Sequence, residues 1–370
     1  MLRGGMDRPV LPLTMTTNMT TNTITVRAGE ELNADALARY LQRNLPGSFG
    51  KLEIEQFPNG HSNLVYLIRL GQAEYVLRRP PRGPVAPKAH DMAREFRVLR
   101  AVHPHFPEAP KVVLLCEDAS IAGGTFFLME RRRGIVLRDE VPAEWASVPN
   151  YPRMVSEAFT DCLVRLHEVD VSKPELSALG KPKGFLERQV KGWAERWQGA
   201  KTEDVPEMDT LVRWLHINLP SSPASTLVHN DFKLDNIMLG ATADRVEAVL
   251  DWEMTTLGDP LADLGLSLCY WTWAGIAAQG DPHPATPVIT AGPGWFSRDE
   301  LVDRYARRTG RDVTHLPWYE VLGIFKLAVI LQQIYFRFHH GHTLDGRFRD
   351  FDRRVRGLIT LSCEMSQGRL

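Results

Sequence analysis

At 370 residues the chain is long enough to form two lobes or domains, each with its own core. Its hydrophobic content of 44% and charged content of 24% are those of an ordinary globular protein, and its formal net charge of −1 gives no reason to expect nucleic acid or an anionic membrane as a partner. It contains no apolar run of about 18 residues, which argues against a membrane span, and its four scattered cysteines indicate reduced thiols in a cytoplasmic protein.

The N-terminal third is predicted to be rich in β-strands. Residues 1–25 form a polar run without the apolar stretch of a secretory signal, so we expect a flexible extension there and a first lobe over residues 26–133. A helix is expected at Leu32–Leu45, capped by Asn33, and a second one from about Lys88 to Val102. The second helix should pack on a five-stranded antiparallel sheet made of Leu52–Phe57, Leu64–Leu70, Glu74–Arg79, Lys111–Cys116 and Thr125–Glu130.

The remaining residues, 134–370, are predicted to form a second, mainly helical lobe. Two short strands are expected in it at Ile237–Leu239 and Val246–Leu250, and Gly and Pro residues predict a long loop at 279–296. Apolar periodicity predicts helices on both sides of that loop from Pro260 to about residue 366, and earlier at Pro152–Val169, Gly184–Gln198 and Met208–Leu219. The predicted fold class is therefore α+β, with a β-rich N-lobe that carries one packed helix and a mainly helical C-lobe.

The motif that carries the most chemistry lies just before the two short strands. It reads His-x-Asp-x-Lys-x-x-Asn from His229 to Asn236, and Asp251 follows as an isolated acid at the end of an apolar run. Asp231 is the candidate general base for a hydroxyl proton, and Lys233 can neutralise a transferring phosphate. Asn236 and Asp251 offer the hard oxygen ligands that Mg²⁺ prefers. His229, grouped with the catalytic residues, should order the loop rather than transfer protons; the alternative for the whole loop is a solvated polar turn.

Further acids follow Asp251. Asp259 precedes Pro260, a pairing typical of a helix N-cap followed by the first helical residue. Asp263 lies one turn further in, where its carboxylate can accept backbone N–H groups of the catalytic loop. We therefore predict that Asp263 orients the loop and is not a metal ligand. Glu253 either contacts a metal through water or is simply exposed.

The N-lobe contains a candidate ion pair. On the second predicted helix, Glu95 falls inside the apolar stripe, where a carboxylate costs free energy unless a cation meets it. Strand alternation makes Arg78 the natural partner, and its guanidinium can also bind the α- and β-phosphates of a nucleotide. The alternative is an ordinary surface ion pair.

Two backbone segments complete the candidate nucleotide site. The loop 58–63, which contains Gly60 and Ser62, can cover phosphates through its N–H groups and a hydroxyl. Glu130 and Arg131 end a strand that passes into a hinge, where backbone groups can contact the edge of an adenine. This second assignment rests on position and not on the side chains.

Taken together, His229, Asp231, Lys233, Asn236 and Asp251 resemble the catalytic and metal motifs of the aminoglycoside phosphotransferase-like family, the small-molecule branch of the kinase fold. The resemblance covers roughly residues 30–365 and implies a bilobal protein-kinase-like fold with ATP and Mg²⁺ as cofactors. The activation loop of protein kinases is missing from the sequence, and arginine stands at position 78 where they have lysine. More narrowly, the chain is similar to the phosphotransferase domain fused to some acyl-CoA dehydrogenases, through Tyr75–Arg78, Leu186–Val190 and Asp251–Glu253.

The resemblance and the motif predict an ATP- and Mg²⁺-dependent phosphotransferase that acts on a hydroxyl of a small molecule. Residues 301–370 carry twelve Lys and Arg against seven Asp and Glu, which favours an anionic acceptor over a polycationic antibiotic. The narrower resemblance points to a hydroxyacyl-CoA, whereas a basic helix face without any ligand is an equally common explanation of the charge. Two other functions stay open: a catalytically idle module that binds nucleotide or acyl-CoA, and an aminoglycoside kinase.

Aromatic residues offer a candidate lining for an acceptor pocket, although at helical spacing such residues usually belong to the core. They are Trp193, Trp197, Tyr270, Trp271 and Trp273.

Overall fold

The computed structural model describes residues 23–45, 49–58, 63–81, 90–138, 140–222, 225–273, 289–343 and 345–369. Almost all of the extension expected at 1–25 lies outside the described residues, as does most of the loop expected at 279–296. Gly60 and Ser62 of the predicted phosphate loop also lie outside them.

The N-lobe is built on one antiparallel sheet of five strands: β1 (Leu52–Gln56), β2 (Leu64–Leu70), β3 (Ala73–Arg79), β4 (Val112–Cys116) and β5 (Phe126–Glu130). Their spatial order is β1-β2-β3-β5-β4, so the last two strands exchange places relative to the chain. All five predicted strands are present. β3 lies at the centre, paired with β2 on one side and β5 on the other, which places Arg78 between Val65 and Phe127.

Two helices cover this sheet. α1 (Ala34–Asn44) is capped by Asn33, whose side chain accepts the backbone N–H of Ala36 as the sequence predicts, and it packs on a core that includes Tyr66 and Leu128. Side chains alternate between the two faces of a strand, so Phe127 points to the other face. There it joins the core of the second helix and the C-lobe.

That second helix, α2 (Met92–Val102), begins later than predicted. Asp91 accepts the backbone N–H of Arg94 at 2.8 Å and so caps the first turn, which makes the predicted start near Lys88 wrong. α2 packs against β4 and β5 and reaches the segment that follows Asp251. A short helix, α3 (Ala119–Ala122), precedes β5.

The C-lobe is mainly helical, and each predicted helix is present within a few residues of its predicted bounds. Proline occupies the first turn of five of the described helices of this lobe, where the missing N–H costs no hydrogen bond. The described helices are α4 (Tyr151–His167), α5 (Pro174–Ser177), α6 (Phe185–Ala200), α7 (Pro206–Ile217), α8 (Pro260–Leu268), α9 (Arg298–Thr309), α10 (Leu316–His339) and α11 (Phe351–Ser366).

α10 is the central helix of this lobe and packs against α6, α8 and α11. Within the described residues it is the one helix long and apolar enough to cross a membrane, but 61% of its apolar window is buried inside the protein. Burial on that scale is typical of the core helix of a globular domain.

Five short strands frame the catalytic segment: β6 (Ile135–Val136), β7 (Thr226–Val228), β8 (Ile237–Leu239), β9 (Val246–Val249) and β10 (Thr256–Gly258). They form an antiparallel β6-β8-β9 sheet and an antiparallel β7-β10 pair. β8 and β9 are predicted from the sequence, whereas β6, β7 and β10 are not. The two small sheets hold both ends of the segments 229–236 and 250–255.

Candidate active site

The catalytic loop 229–236 connects β7 to β8 and is anchored by Asp263 of α8. This carboxylate is fully buried and accepts the backbone N–H groups of His229 and Asn230, each at 2.6 Å. Burial acts to raise the pKa of Asp263, but His167 at 3.3 Å and the backbone donors outweigh it and hold the pKa below its ordinary value. An ionised Asp263 therefore fixes the start of the loop.

His229 is fully buried beneath the loop. Its Nε2 lies 3.0 Å from the carbonyl oxygen of Leu250, a contact that requires the proton on Nε2. The ring also meets Trp252 edge to face, with centroids 5.1 Å apart. His229 thus links the catalytic loop to the residues on either side of Asp251, which is an ordering role.

Asp231 is held by two neighbours of the same loop. Its Oδ2 lies 3.0 Å from Nζ of Lys233 and accepts Nδ2 of Asn236 at 2.9 Å. Burial acts to lower the pKa of Lys233, but Tyr270, whose ring centroid is 4.8 Å from Nζ, and Asp231 outweigh it and raise the pKa. Lys233 is therefore a cation that balances Asp231, and the Asp231 side chain keeps 18% of its surface open to a substrate.

Asn236 precedes β8 and Asp251 follows β9, at the same edge of this antiparallel pair. The backbone N–H of Leu250 donates to the carbonyl oxygen of Asn236 at 2.8 Å, so Asp251 is the next residue on the adjacent segment. Asp251 has a left-handed backbone with φ of 66°, an uncommon conformation that turns the chain sharply after β9. The two predicted magnesium ligands therefore occupy neighbouring backbone positions, and Asn236 also contacts Asp231.

Arg78 contacts three carboxylates that come from both lobes. Its Nε is 3.0 Å from Glu95, and its Nη2 is 2.5 Å from Asp251 and 3.6 Å from Glu253. Glu95 is only 2% exposed, and burial raises its pKa to about 7 even though Arg78 opposes this. Burial also acts to raise the pKa of Asp251, but Arg78 outweighs it and lowers the pKa. The pair that strand and helix periodicity indicate is present in the structure.

Three carboxylates around one guanidinium leave an excess of negative charge. Across the described ranges, no group of three or more His, Cys, Asp and Glu side chains forms a metal site by itself. Asn236 and Asp251 provide an amide and a carboxylate oxygen, the hard donors that suit Mg²⁺ when nucleotide phosphates and water complete its shell. The residues present therefore fit a magnesium nucleotide complex.

Glu253 has a role that the sequence leaves undecided. Its carboxylate accepts Nδ2 of Asn63 at 3.1 Å, and it lies 4.0 Å from Nδ1 of His90. Burial, aided by Asp251, raises the pKa of Glu253. Glu253 thus ties the end of the predicted phosphate loop to the Asp251 segment. Its position two residues after Asp251 is the only sequence signal for this contact.

Arg94 of α2 is a residue that sequence reasoning misses. Its guanidinium donates to the backbone carbonyls of Glu253 at 2.5 Å and Thr255 at 2.6 Å. Arg94 is adjacent to Glu95 in the sequence. α2 therefore contacts Arg78 through Glu95 and the Asp251 segment through Arg94. No sequence pattern identifies an arginine whose partners are backbone atoms of another lobe.

The side chains of the two residues predicted at the hinge form contacts within the N-lobe. Glu130 accepts the backbone N–H of Lys111 at 2.7 Å, and Arg131 lies 2.7 Å from Glu74. The expectation that their backbone groups contact adenine stays a prediction.

The candidate acceptor residues divide into core and site. Trp193, Trp197 and Trp271 are buried in the C-lobe core. Tyr270 contacts Lys233, and both of them line, together with Trp271, a small cavity of about 30 Å³. The basic residues near the C-terminus are partly neutralised, because Arg347 pairs with Asp345 and Arg356 with Glu203, each at 2.5 Å. Their charge is therefore weaker support for an anionic acceptor than composition alone indicates.

Residues 53–301 match the model of the family described as the phosphotransferase enzyme family. The chain belongs to this family. The matched range includes Arg78, Glu95, the catalytic loop, Asp251 and Asp263, so every described contact of the site in this phosphotransferase lies within it.

Two curated relatives from Mus musculus are similar to this phosphotransferase. Acyl-CoA dehydrogenase family member 11 is 37% identical over 338 residues, which cover 89% of this chain and 42% of the relative. Acyl-CoA dehydrogenase family member 10 is 35% identical over 325 residues, which cover 85% of this chain and 29% of the relative. The chain spans less than half the length of either relative.

Solved structures share the fold. A Ralstonia eutropha protein assigned as an aminoglycoside phosphotransferase has a TM-score of 0.77 and 30% identity, with 91% of this chain and 99% of that chain covered. Aminoglycoside phosphotransferase APH(4)-Ia, in a ternary complex with AMP-PNP and hygromycin B, has a TM-score of 0.55 and 18% identity, with 89% and 98% covered. The predicted kinase-like fold is confirmed.

Proposed function

We propose that this phosphotransferase transfers the γ-phosphate of Mg²⁺-ATP to a hydroxyl of a small molecule. The observation that carries the proposal is the link through Asn236, which donates to Asp231 and accepts the N–H of the residue before Asp251. This link brings the candidate base and both candidate metal ligands into one site. The AMP-PNP held by a protein of the same fold supports ATP as the donor.

In-line phosphoryl transfer leaves little covalent work for the protein, so positioning and charge neutralisation dominate. Asp231 accepts the proton of the acceptor hydroxyl as its oxygen attacks the γ-phosphorus. Lys233 stabilises the negative charge of the transferred group, and Arg78 binds the α- and β-phosphates. Mg²⁺ held by Asn236 and Asp251 would supply the remaining neutralisation of the phosphates.

For the acceptor we propose a hydroxyacyl-CoA. The support is the similarity to acyl-CoA dehydrogenase family members, whose name indicates acyl-CoA chemistry. A cytoplasmic location also stays a prediction, supported by four cysteines that are all free thiols.

The test is a screen for phosphoryl transfer from ATP in the presence of Mg²⁺, with mass spectrometry of the products. Candidate acceptors are hydroxyacyl-CoAs, free hydroxy acids, amino alcohols, sugars and aminoglycosides. We expect a phosphorylated hydroxyacyl-CoA. The variant Asp231→Asn should lower kcat by about 10²–10⁴-fold, because the general base is lost, with ATP binding unchanged.

Three results would contradict parts of this proposal. Stabilisation by Mg²⁺-ATP without transfer to any acceptor indicates an idle binding module. Transfer to aminoglycosides alone indicates an antibiotic kinase. An unchanged kcat in Asp231→Asn removes Asp231 from the mechanism.

A further inference from the structure

The small cavity beside the catalytic loop lies next to the candidate base. Residues 233–235 of that loop line it, and Nζ of Lys233 is 3.0 Å from Oδ2 of Asp231. The cavity is therefore only one side chain away from the carboxylate that would accept the hydroxyl proton. Its volume of about 30 Å³ holds roughly one or two groups of the size of a water molecule. It can admit a narrow chain but not a sugar ring.

One wall of the cavity is an uncommon piece of backbone. α8 continues into a π-helical turn, Cys269–Trp273, from which Tyr270 and Trp271 line the cavity. The ring centroid of Tyr270 is 4.8 Å from Nζ of Lys233. Nε1 of Trp271 donates to the carbonyl oxygen of Phe296 at 2.9 Å, which fixes the indole. Single π turns are rare and occur frequently at functional sites, so the position of this turn beside the catalytic loop points to a binding role.

Arg138 is the one charged side chain of the cavity lining that has no partner among the described residues. It lies two residues after β6 and is half-buried, and within the described ranges its guanidinium forms no hydrogen bond and no ion pair. The other polar groups are engaged: the hydroxyls of Ser267 and Thr290 donate to backbone carbonyls at 2.7 and 2.6 Å. Lys233 pairs with the candidate base, and Asp235 also interacts with other groups of the chain.

This lining suits one kind of molecule. An unpaired guanidinium favours a carboxylate or a carbonyl oxygen, which its planar set of donors can bind. The aromatic and aliphatic side chains of the lining, among them Phe159 and Ile289, favour an alkyl segment over a hydrated one. A linear molecule meets both conditions if its hydroxyl faces Asp231, its alkyl segment lies in the cavity and its carboxyl-derived oxygen reaches Arg138.

We propose that this cavity is part of the acceptor site and that Arg138 determines its specificity, by binding a carboxyl-derived oxygen of the molecule whose hydroxyl faces Asp231. The oxygen is the carboxylate of a linear hydroxy acid or the thioester carbonyl of its CoA derivative. Ring-shaped acceptors such as sugars and aminoglycosides are excluded by the volume of the cavity. The inference rests on the proposed function for the role of Asp231.

The experiment compares wild type with Arg138→Gln, which removes the charge, in phosphoryl transfer from ATP. Arg213→Gln, at an exposed position on α7, is the matched control for the loss of one arginine. We expect Arg138→Gln to raise the KM for the hydroxy acid or its CoA thioester about tenfold or more, with the KM for ATP unchanged. Its Tm should equal that of wild type, because no contact within the described part of the protein is lost.

A diol of the same chain length is the control on the acceptor, because it keeps the hydroxyl and lacks the oxygen that Arg138 binds. Its KM should be the same for wild type and Arg138→Gln. Whichever of the acid and the thioester has the more Arg138-dependent KM identifies the source of the oxygen. An acceptor KM equal to that of wild type, or an equal rise for the diol, overturns the inference while the proposed function stands.

A second measurement omits ATP and records the Tm of wild type, Arg138→Gln and Arg213→Gln with linear hydroxy acids or their CoA thioesters added. Stabilisation of wild type and Arg213→Gln but not of Arg138→Gln supports the inference. If this pattern occurs without any phosphoryl transfer, the proposed function fails and the binding role of Arg138 stands. Equal stabilisation of all three proteins, or of none of them, overturns the inference.

Discussion

Two groups of charged side chains line the site, one on the catalytic loop and one around Arg78, and their charges are balanced in different ways. On the loop, Asp231 has a lysine at 3.0 Å and the amide of Asn236 at 2.9 Å. Around Arg78, a single guanidinium serves Glu95, Asp251 and Glu253. The first group is complete with the residues of the chain, whereas the second carries surplus negative charge.

The difference shows which part of the site is prepared in advance and which part needs a further cation. A balanced loop keeps Asp231 in place without any ligand. A divalent ion bound by Asp251, as proposed above, would relieve the surplus around Arg78 and would leave its guanidinium available to phosphate. On that proposal, binding of a magnesium nucleotide would rearrange the group around Arg78 and not the catalytic loop.

The largest effect is expected from removing the only cation of the unbalanced group. Arg78→Met leaves the buried Glu95 without a partner, which should lower the free energy of unfolding by about 3–5 kcal/mol. Chemical denaturation without nucleotide measures this. The double variant Arg78→Met with Glu95→Gln should recover much of this loss. If the single and double variants are equally stable, the loss does not come from an unpaired Glu95 carboxylate.

In the balanced group, the expected loss is in catalysis. Lys233→Met removes the cation beside Asp231 and should lower kcat for phosphoryl transfer by about 10²–10³-fold, because charge on the transferred group is no longer stabilised. Since the side chain is 21% exposed, little change in Tm is expected. Lys233→Arg serves as the control that keeps the charge. If Lys233→Met lowers the Tm but leaves kcat unchanged, Lys233 contributes to stability and not to catalysis, which contradicts this prediction.

The third prediction concerns pH. The pKa of Glu95 is about 7 in the folded state against an ordinary value of 4.5, so its contribution to stability is fully present below pH 4.5 and is lost as pH rises through about 7. The difference amounts to about 3 kcal/mol at most. Glu95→Gln lacks this titration, so its Tm relative to wild type should increase between pH 5.5 and pH 8 in nucleotide-free protein. A constant difference would show that Glu95 is already ionised at the lower pH.

The smallest expected effect is a Tm shift on addition of Mg²⁺, and it tests most directly which of the two charged groups binds a cation. Mg²⁺ added without nucleotide, at about 10 mM against a dissociation constant of about 1 mM, should stabilise the protein by about 1.4 kcal/mol. The Tm shift should persist in Asp231→Asn, because that residue belongs to the balanced group, and should vanish in Asp251→Asn. Loss of the shift in both variants would place the cation between the two groups instead.

The sequence was sufficient for features that depend on local periodicity or on short spacing. The five N-lobe strands, the Asn33 cap and the pairing of Arg78 with Glu95 follow from strand alternation and from one acid inside an apolar helix stripe. The start of α2 was missed by about four residues, because Asp91 and not the preceding loop sets the first turn. The placement of Asn236 next to Asp251 follows from the pairing of two strands of three or four residues.

Contacts with partners on distant backbone could not be predicted. Arg94 binds the carbonyls of Glu253 and Thr255, which lie 159 and 161 residues away along the chain. Backbone acceptors carry no residue-type signal, so such a bond leaves no trace in the sequence.

The two bonds of Arg94 have a mechanical consequence. They join α2 to the 253–255 segment at two points, so the helix and that segment should travel as one rigid body when the cleft opens. Any motion of the sheet that bears Arg78 relative to this body would lengthen the Arg78–Glu95 distance of 3.0 Å, while the Arg94 bonds keep their length.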